Sequence, residues 1–145
     1  MMNRRMLFGG AAGVLATGLA SLTAQAEDDD EKEGHDCAEE CGECGTACTA
    51  CAADCLNELA AGQMDRKECI QLCLDCADIC DACSRISARK GPLSALIHAA
   101  CAEACDKCAA ACEKHKDDKS CAACAEQCRA CAKQCREGVT GHKGL

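Results

Sequence analysis

The side chains in this sequence with the clearest capacity for chemistry are twenty cysteines, spread over 145 residues. They fall into four blocks, and within each block the steps between successive cysteines alternate between three and four residues. The blocks are Cys37, Cys41, Cys44, Cys48, Cys51 and Cys55; Cys69, Cys73, Cys76, Cys80 and Cys83; Cys101, Cys105, Cys108 and Cys112; and Cys121, Cys124, Cys128, Cys131 and Cys135. The alternation is a period of about 3.5 residues, which is typical of the buried face of packed helices.

Thiols at this spacing can bind soft metal ions. Neighbours three or four residues apart on a helix lie about 5–6 Å apart at Cβ, so two thiolates can close on one small ion. Thiolate is the ligand that selects Cu(I), zinc or iron–sulfur clusters. Buried unpaired charge is costly, and one Cu(I) per bridging thiolate would neutralise the core, whereas isolated zinc tetrathiolates would each keep two negative charges. The pattern therefore favours multiple copper(I) ions, from about ten to about twenty.

Other uses of many cysteines fit the spacing less well. Disulfide scaffolds are the usual meaning of dense cysteines in a small exported chain, but they are rich in loops and irregularly spaced. A Cys-x-x-Cys redox centre, as between Cys41 and Cys44, belongs at a strand–helix turn, and no strand is predicted. No catalytic residues stand out, so we expect a protein that is not an enzyme. The alternative is a structural or redox helical bundle stabilised by disulfides or zinc.

The segments between the blocks carry residues that begin and end helices. The predicted starts are Asp36 with Glu39, Asp65 with Glu68, Pro92, and one of Asp117, Asp118 or Ser120, and the predicted ends are Gly62, Gly91 and Gly138. Because the connections are short, consecutive helices should be antiparallel. The sequence therefore predicts an all-α fold, an antiparallel up-down four-helix bundle over residues 36–138 with a cysteine-lined core.

Histidines and a methionine stand where the ends of such a bundle would lie. His98 precedes the third block by three residues and His115 follows it by three. Antiparallel packing would gather His35, Cys37, Cys83, His98 and Cys135 at one end, and Cys55, Met64, Cys69, His115 and Cys121 at the other. Imidazole and thioether can serve as Cu(I) ligands. His98 and His115 are therefore candidate metal ligands, Met64 and His35 are less favoured candidates, and His142 is assigned no role.

The first 26 residues have the layout of an export signal. Arg4 and Arg5 precede an apolar stretch that reaches about Leu22, and Ala24-Gln25-Ala26 fits a cleavage site. A twin arginine is typical of the Tat route, and the stretch is short for a membrane anchor. The predicted parts are a Tat-type signal peptide over 1–26, a disordered acidic tail over 27–35, the bundle over 36–138 and a C-terminal tail over 139–145. The predicted location is periplasmic or extracytoplasmic.

The acidic balance of the chain limits its partners. The formal net charge is −8, which disfavours binding to the phosphates of nucleic acids and attracts cations weakly at long range. We expect no nucleic-acid partner and no stable membrane association once the signal is removed. The sequence does not identify a protein that donates or accepts copper.

The repeated C-x-x-x-C-x-x-C rows, their distribution over four predicted helices and the Tat-type leader resemble the bacterial copper storage proteins. The likeness covers about residues 36–138. The resemblance implies a four-helix bundle that stores many Cu(I) ions through inward thiolates, with His and Met residues near an open end. It also implies that the twenty cysteines are the ligands, that His98, His115 and Met64 are weaker candidates, and that the protein is a homotetramer, as exported members are.

Overall fold

A computed structural model describes the backbone of residues 21–141 and the side chains of residues 36–140. Over this range the chain forms four α-helices and no strand: α1 (Ser21–Ala60), α2 (Lys67–Ala88), α3 (Ser94–Cys112) and α4 (Lys119–Gly141). Short 3-10 turns at Met64–Arg66 and Glu113–His115 connect α1 to α2 and α3 to α4. None of the helices in this range is long and apolar enough to cross a membrane.

The four helices form one antiparallel bundle. Each helix packs against the next one along the chain, and α1 also packs against α4, which closes the ring. Because every connection is short, consecutive helices run in opposite directions. All twenty cysteines are buried along the axis of this ring. The predicted all-α four-helix bundle with a cysteine-lined core is confirmed.

Small side chains build the rest of the core. Fully buried alanines such as Ala52, Ala109 and Ala132 lie among the cysteines, and Ile70 is the one buried large aliphatic residue among the described side chains. Free cysteine packs as a small hydrophobe, so sulfur takes the place that leucine or phenylalanine has in most bundles. The result is a narrow core in which sulfur atoms from all four helices approach one another.

The start of α1 differs from the prediction. The sequence indicated a disordered tail over residues 27–35 and a capping box at Asp36 and Glu39, but the chain is already helical at Ser21, the first described residue, and α1 passes through both segments. Glutamate and lysine favour a helix, and the segment has no proline to stop it. Once later turns of α1 are fixed by packing, the helix can extend upstream at little cost per residue. Residues 1–20 of the predicted leader lie outside the described residues.

The end of α1 has the predicted glycine. Gly62 has φ = 100°, a conformation that residues with a Cβ rarely adopt. Its N–H donates to the Leu59 carbonyl at 3.0 Å, and the N–H of Gln63 donates to the Glu58 carbonyl at 3.0 Å. These two bonds form a Schellman motif, which satisfies the last carbonyls of the helix. The prediction that Gly62 ends the first helix is confirmed.

The two ends of α2 were predicted only approximately. Asp65 does not cap this helix: it lies inside the 3-10 turn, and the N-cap residue is Arg66, which makes no side-chain capping bond. At the other end the left-handed residue is Lys90, with φ = 49°, and Gly91 follows it and donates its N–H to the Ile86 carbonyl. Gly91 thus takes part in the predicted termination, one position later than expected.

Of the predicted starts for the last two helices, Asp118 is the one confirmed. Its Oδ1 accepts hydrogen bonds from the backbone N–H of Ser120 at 2.8 Å and of Cys121 at 3.2 Å, as an N-cap aspartate does. Pro92 lies in the turn before α3, which begins two residues later at Ser94. Helix α4 continues past Gly138 to Gly141, because a single glycine weakens a helix without ending it.

Candidate metal centre

The twenty cysteines form one continuous cluster, here called the thiol core. Each of them is at most 2 % exposed. The alternation of three- and four-residue steps keeps every row on the face that its helix turns towards the axis. The structure therefore brings together every cysteine that the sequence marked as a metal ligand.

Sulfur atoms approach one another across the bundle and along each row. The Cys48 Sγ lies 3.5 Å from the Cys128 Sγ of α4 and 3.9 Å from the Cys108 Sγ of α3, which is diagonally opposite. Within α2, the sulfurs of Cys76 and Cys80 are 3.9 Å apart. All twenty cysteines are free, and these separations far exceed a disulfide bond of about 2.05 Å. Each sulfur is thus close enough to several others to share an ion with them.

Several sets of four sulfurs could each hold a metal ion, and the sets overlap. In each set the sulfur atoms all lie within 4.8 Å of one another. Two of these sets are Cys44, Cys76, Cys80 and Cys105, and Cys44, Cys48, Cys76 and Cys128. Because they share Cys44 and Cys76, ions in neighbouring sets would have bridging thiolates between them. Thiolate is a soft ligand that selects Cu(I), so this arrangement suits a row of Cu(I) ions linked by bridging thiolates.

One end of the thiol core, the His98 end, is formed by Cys37, Cys83, His98 and Cys135. The imidazole of His98 is 1 % exposed, and its Nε2 lies 3.2 Å from the Cys37 Sγ and 2.7 Å from the Ser87 Oγ. Gly138 of α4 lies against this ring: a Cβ at that position would be 2.6 Å from Nδ1. The absence of a side chain at Gly138 is therefore what gives the imidazole its place in the core.

Charge is shared between Cys37 and His98. Hydrogen bonding with neighbouring cysteines, Cys135 first, and with His98 lowers the pKa of the Cys37 thiol to about 6. The hydrogen bond to Cys37 is also the largest cause that raises the pKa of His98 above its usual value. Each group stabilises the charged form of the other. A thiolate and a neutral imidazole both bind Cu(I), so this end places two candidate ligands side by side.

The opposite end, the Arg66 end, is formed by Cys55, Cys69, Cys121 and Arg66. Arg66 is only 7 % exposed, and its Nη1 donates a hydrogen bond to the Cys121 Sγ at 3.4 Å. Its Nη2 lies 3.6 Å from the Asp118 Oδ2 and 4.0 Å from the Glu58 Oε2. A guanidinium therefore closes this end of the thiol core.

Sequence reasoning missed two polar residues in the core that share one signal. Arg66 precedes Cys69 by three residues, and Ser87 follows Cys83 by four. Both positions continue the cysteine row of α2 by one step and so point to the same axis. Extending every row by one step in each direction would have found them, as it found His98 in α3.

Burial disfavours the thiolate form of two thiols at the Arg66 end, Cys55 and Cys121. Burial raises the pKa of Cys121 to about 12, and it also raises the pKa of Cys55. Desolvation disfavours the charged form of a buried thiol. Metal binding by Cys55 and Cys121 therefore has to displace protons from these two thiols.

The two other candidate ligands among the described side chains, Met64 and His115, are not among the fully buried residues. Met64 is 76 % exposed. The Nδ1 of His115 lies 3.7 Å from the Asp65 Oδ2, so the imidazole faces a carboxylate beside the Arg66 end. The side chain of His35 and the whole of His142 lie outside the described residues. The roles of Met64 and His115 as metal ligands stay predictions.

Solved structures of copper storage proteins, with and without metal, are similar to this chain. A cytosolic copper storage protein from Streptomyces lividans with five coppers is 35 % identical with a TM-score of 0.73, and the match covers 81 % of this chain and 98 % of that one. Copper storage protein 3 from Bacillus subtilis, without metal, is 38 % identical with a TM-score of 0.65 over 71 % and 95 % of the two chains. A form of the Streptomyces lividans protein loaded with 10 copper equivalents is 32 % identical with a TM-score of 0.68 over 88 % and 93 %. No curated protein matches the chain.

The comparison with Streptomyces lividans contradicts the predicted location. The similar protein is described as cytosolic. The prediction of an exported, periplasmic protein is therefore wrong. It depended on the basic and apolar composition of the first 26 residues, whereas free thiols in large number are what a reducing compartment preserves.

The match to a protein family extends over most of the chain. A family model described as copper storage protein matches residues 30–140, a range that contains all four cysteine rows and both ends of the thiol core. The similar solved structures hold several copper ions in bundles of the same fold. Multiple Cu(I) ions and a cysteine-lined four-helix bundle were both predicted from the spacing. The chain belongs to the copper storage protein family.

Proposed function

We propose that this protein is a Cu(I) store in which the twenty core thiolates are the ligands, and that it catalyses no reaction. The observation that carries the proposal is the succession of sets of four sulfurs, several of them overlapping, from the His98 end to the middle of the bundle. A catalytic metal site keeps an open position for substrate at one ion. A row of linked, fully enclosed sites instead supports a role in holding many ions. The metal-binding unit is the bundle over residues 36–138.

Charge supports Cu(I) over zinc as the stored ion. If every thiol were deprotonated, the thiol core would carry twenty negative charges. Only hydrogen bonds and the polar side chains at the two ends of the core would be available to compensate this charge. Buried charge must be neutralised, and one monovalent ion per bridging thiolate does this along the full length. Isolated zinc tetrathiolates would each leave two negative charges without a buried cation. Shared sulfurs thus suit a high load of Cu(I).

The end residues would extend the set of ligands. His98 is the stronger candidate, because its Nε2 already lies 3.2 Å from the Cys37 sulfur and the ring is fixed by Ser87. His115 and Met64 lie nearer the surface at the Arg66 end, where a thioether and an imidazole could contact an ion on its way to the core. His115 and Met64 are therefore proposed ligands, but weaker candidates than His98.

Titration of the reduced, metal-free protein with Cu(I) tests the proposal. Performed without oxygen against a chromophoric Cu(I) chelator, it should give tight uptake of about ten to about twenty ions per chain. Far-UV circular dichroism should change little, because the thiols already pack as hydrophobic side chains in the metal-free bundle. Uptake of only one or two ions would contradict a store and favour a bundle stabilised by zinc or disulfides.

A single substitution in the middle of a row is the control for that titration. Cys76→Ser removes one sulfur that two of the overlapping sets share. In a store of linked sites the neighbouring thiolates take over, so the capacity should fall by about one ion or less without unfolding. Loss of all binding after this change would show that the protein has one dedicated site.

The similar protein from Streptomyces lividans suggests where such a store works. It is described as cytosolic, and glutathione and thioredoxin keep thiols reduced in that compartment. We propose that this chain likewise holds its copper in a reducing compartment. Disulfide formation would otherwise compete with metal for the closely spaced sulfurs. The acidic surface supports a store that binds neither nucleic acid nor membrane lipids.

We also propose that the protein assembles as a homotetramer through the outer face of α2 and α3. Leu74 and Leu96 are 46 % and 68 % exposed, and a groove of about 370 Å³ between these helices is lined by Leu72 and Ile79. Exposed apolar patches mark interaction surfaces. Sedimentation equilibrium should give four chains per particle, and Leu96→Glu should dissociate it. A monomeric parent protein at micromolar concentration would contradict this proposal.

A further inference from the structure

Arg66 introduces a fixed positive charge into the thiol core. The other buried polar side chains among the described residues are Ser87, Ser94 and His98, and of these only an imidazole can become charged. Arginine stays protonated at every relevant pH. Its Nη1 lies 3.4 Å from the sulfur of Cys121, which in turn lies 3.6 Å from the sulfur of Cys55. A permanent cation thus faces a pair of thiols that could bind one ion.

The first Cu(I) ions to bind create negative charge in the core. When thiols are in excess, one ion binds two of them: two neutral thiols and Cu(I) give an anionic copper dithiolate and two released protons. The charge balances, since +1 becomes −1 in the core and +2 in the solvent. A buried anion is costly without a nearby counter-charge, and an opposite charge within about 4–6 Å stabilises it strongly. The earliest stage of loading is therefore the stage most sensitive to a buried cation.

We infer that Arg66 makes its own end of the thiol core the place where the first Cu(I) ions are held, by compensating an anionic copper dithiolate that includes Cys121. The inference rests on the proposed storage function. Arg66 is a positioning residue and does not touch copper. As loading approaches one ion per thiolate, the sulfurs become bridging and the core becomes neutral. The positive charge of Arg66 then has less negative charge to stabilise. Arg66 should consequently affect the affinity of the first ions and leave the final capacity unchanged.

The carboxylates near Arg66 do not cancel this effect. The Asp118 and Glu58 side chains are 18 % and 38 % exposed, against 8 % for the Arg66 side chain. Partly hydrated carboxylates at 3.6 Å and 4.0 Å are screened by water, whereas the bond from Nη1 to Cys121 lies in the core. The guanidinium therefore presents Nη1 to the sulfur, while the carboxylates lie nearest Nη2.

The test compares Arg66→Met, Arg66→Lys and Arg129→Met with the parent protein. Methionine keeps the volume of the side chain without its charge, and lysine keeps the charge. Arg129 is a matched control, an arginine on the surface of α4 that is paired with Glu113 and Asp106. Chelator competition at one Cu(I) per chain measures the affinity of the first ion. Alkylation of the remaining free thiols, followed by mass spectrometry, locates it.

In the parent protein and in Arg129→Met, the first ion should protect Cys55 and Cys121 from alkylation. Arg66→Met should bind the first ion at least about tenfold more weakly, with protection moved away from Cys121, while Arg66→Lys retains most of the affinity. All four proteins should reach the same capacity. An unchanged first affinity in Arg66→Met would overturn the inference.

The location of the first ion in the parent protein tests the inference even if Arg66→Met fails to fold. Protection at the His98 end of the parent protein, in Cys37 or Cys135, would overturn the inference without any variant. A capacity of only one or two ions in the parent would instead overturn the proposed storage function. The two failures are distinguishable because one concerns where the first ion binds and the other how many ions follow.

Discussion

Loading with Cu(I) should raise the thermal unfolding temperature of this protein by more than about 20 °C, because metal that binds only the folded thiol core stabilises it by mass action. One site contributes about 4 kcal/mol when free metal exceeds its dissociation constant a thousandfold. In a domain of this size each kcal/mol raises the unfolding temperature by about 4–8 °C. Thermal melts followed by circular dichroism at increasing Cu(I) per chain, without oxygen, measure the effect.

The stabilisation should follow the number of linked sites. A variant with serine at Cys44, Cys48, Cys76 and Cys128 lacks one complete set of four sulfurs in the middle of the bundle. Compared with its own metal-free form, it should gain fewer degrees on loading than the parent protein does. Unfolded chains with many thiols also bind Cu(I), and this lowers the gain without removing it. An unfolding temperature independent of copper would contradict storage in the folded core.

The cysteine rows made most of the fold and of the metal centre predictable. Cysteine acts here as both the core residue and the ligand, so one pattern carries two kinds of information. A period of about 3.5 residues sets the inward face of each helix. Short connections set the direction of its neighbour. The placement of Cys55 and Cys121 at one end, and of Cys37 and His98 at the other, followed from these two facts.

Features that depend on a single side chain or on context were less predictable. Arg66 continues the cysteine row of α2 by one step, but an arginine there is ordinarily exposed, and its packing against Cys121 shows that it is buried. The start of α1 depends on how far a packed helix extends upstream into an acidic segment, which local composition does not fix. The compartment was mispredicted because the leader-like composition of residues 1–26 carries no information about the redox state of the folded thiols.

Replacing Gly138 by alanine should destabilise the metal-free protein by about 1–3 kcal/mol, although alanine is the better helix former. The new Cβ would lie 2.6 Å from Nδ1 and 2.8 Å from Cε1 of His98. The ring cannot move away freely, because it is buried and its Nε2 contacts Ser87 and Cys37. Overpacking and the loss of buried hydrogen bonds both oppose folding. Thermal or urea denaturation of the reduced, metal-free protein measures the change.

Gly42→Ala is the matched control, since this glycine also lies inside a helix, α1, but has room for a side chain. The nearest atom to its added Cβ is the Ser84 Oγ at 3.6 Å, an ordinary contact. Alanine there should therefore stabilise the protein by about 0.5–1 kcal/mol through helix propensity. Opposite signs for the two substitutions would show that His98 occupies the space beside Gly138. Stabilisation in both would mean that the ring yields without cost, and that the His98 end is held less rigidly than its hydrogen bonds imply.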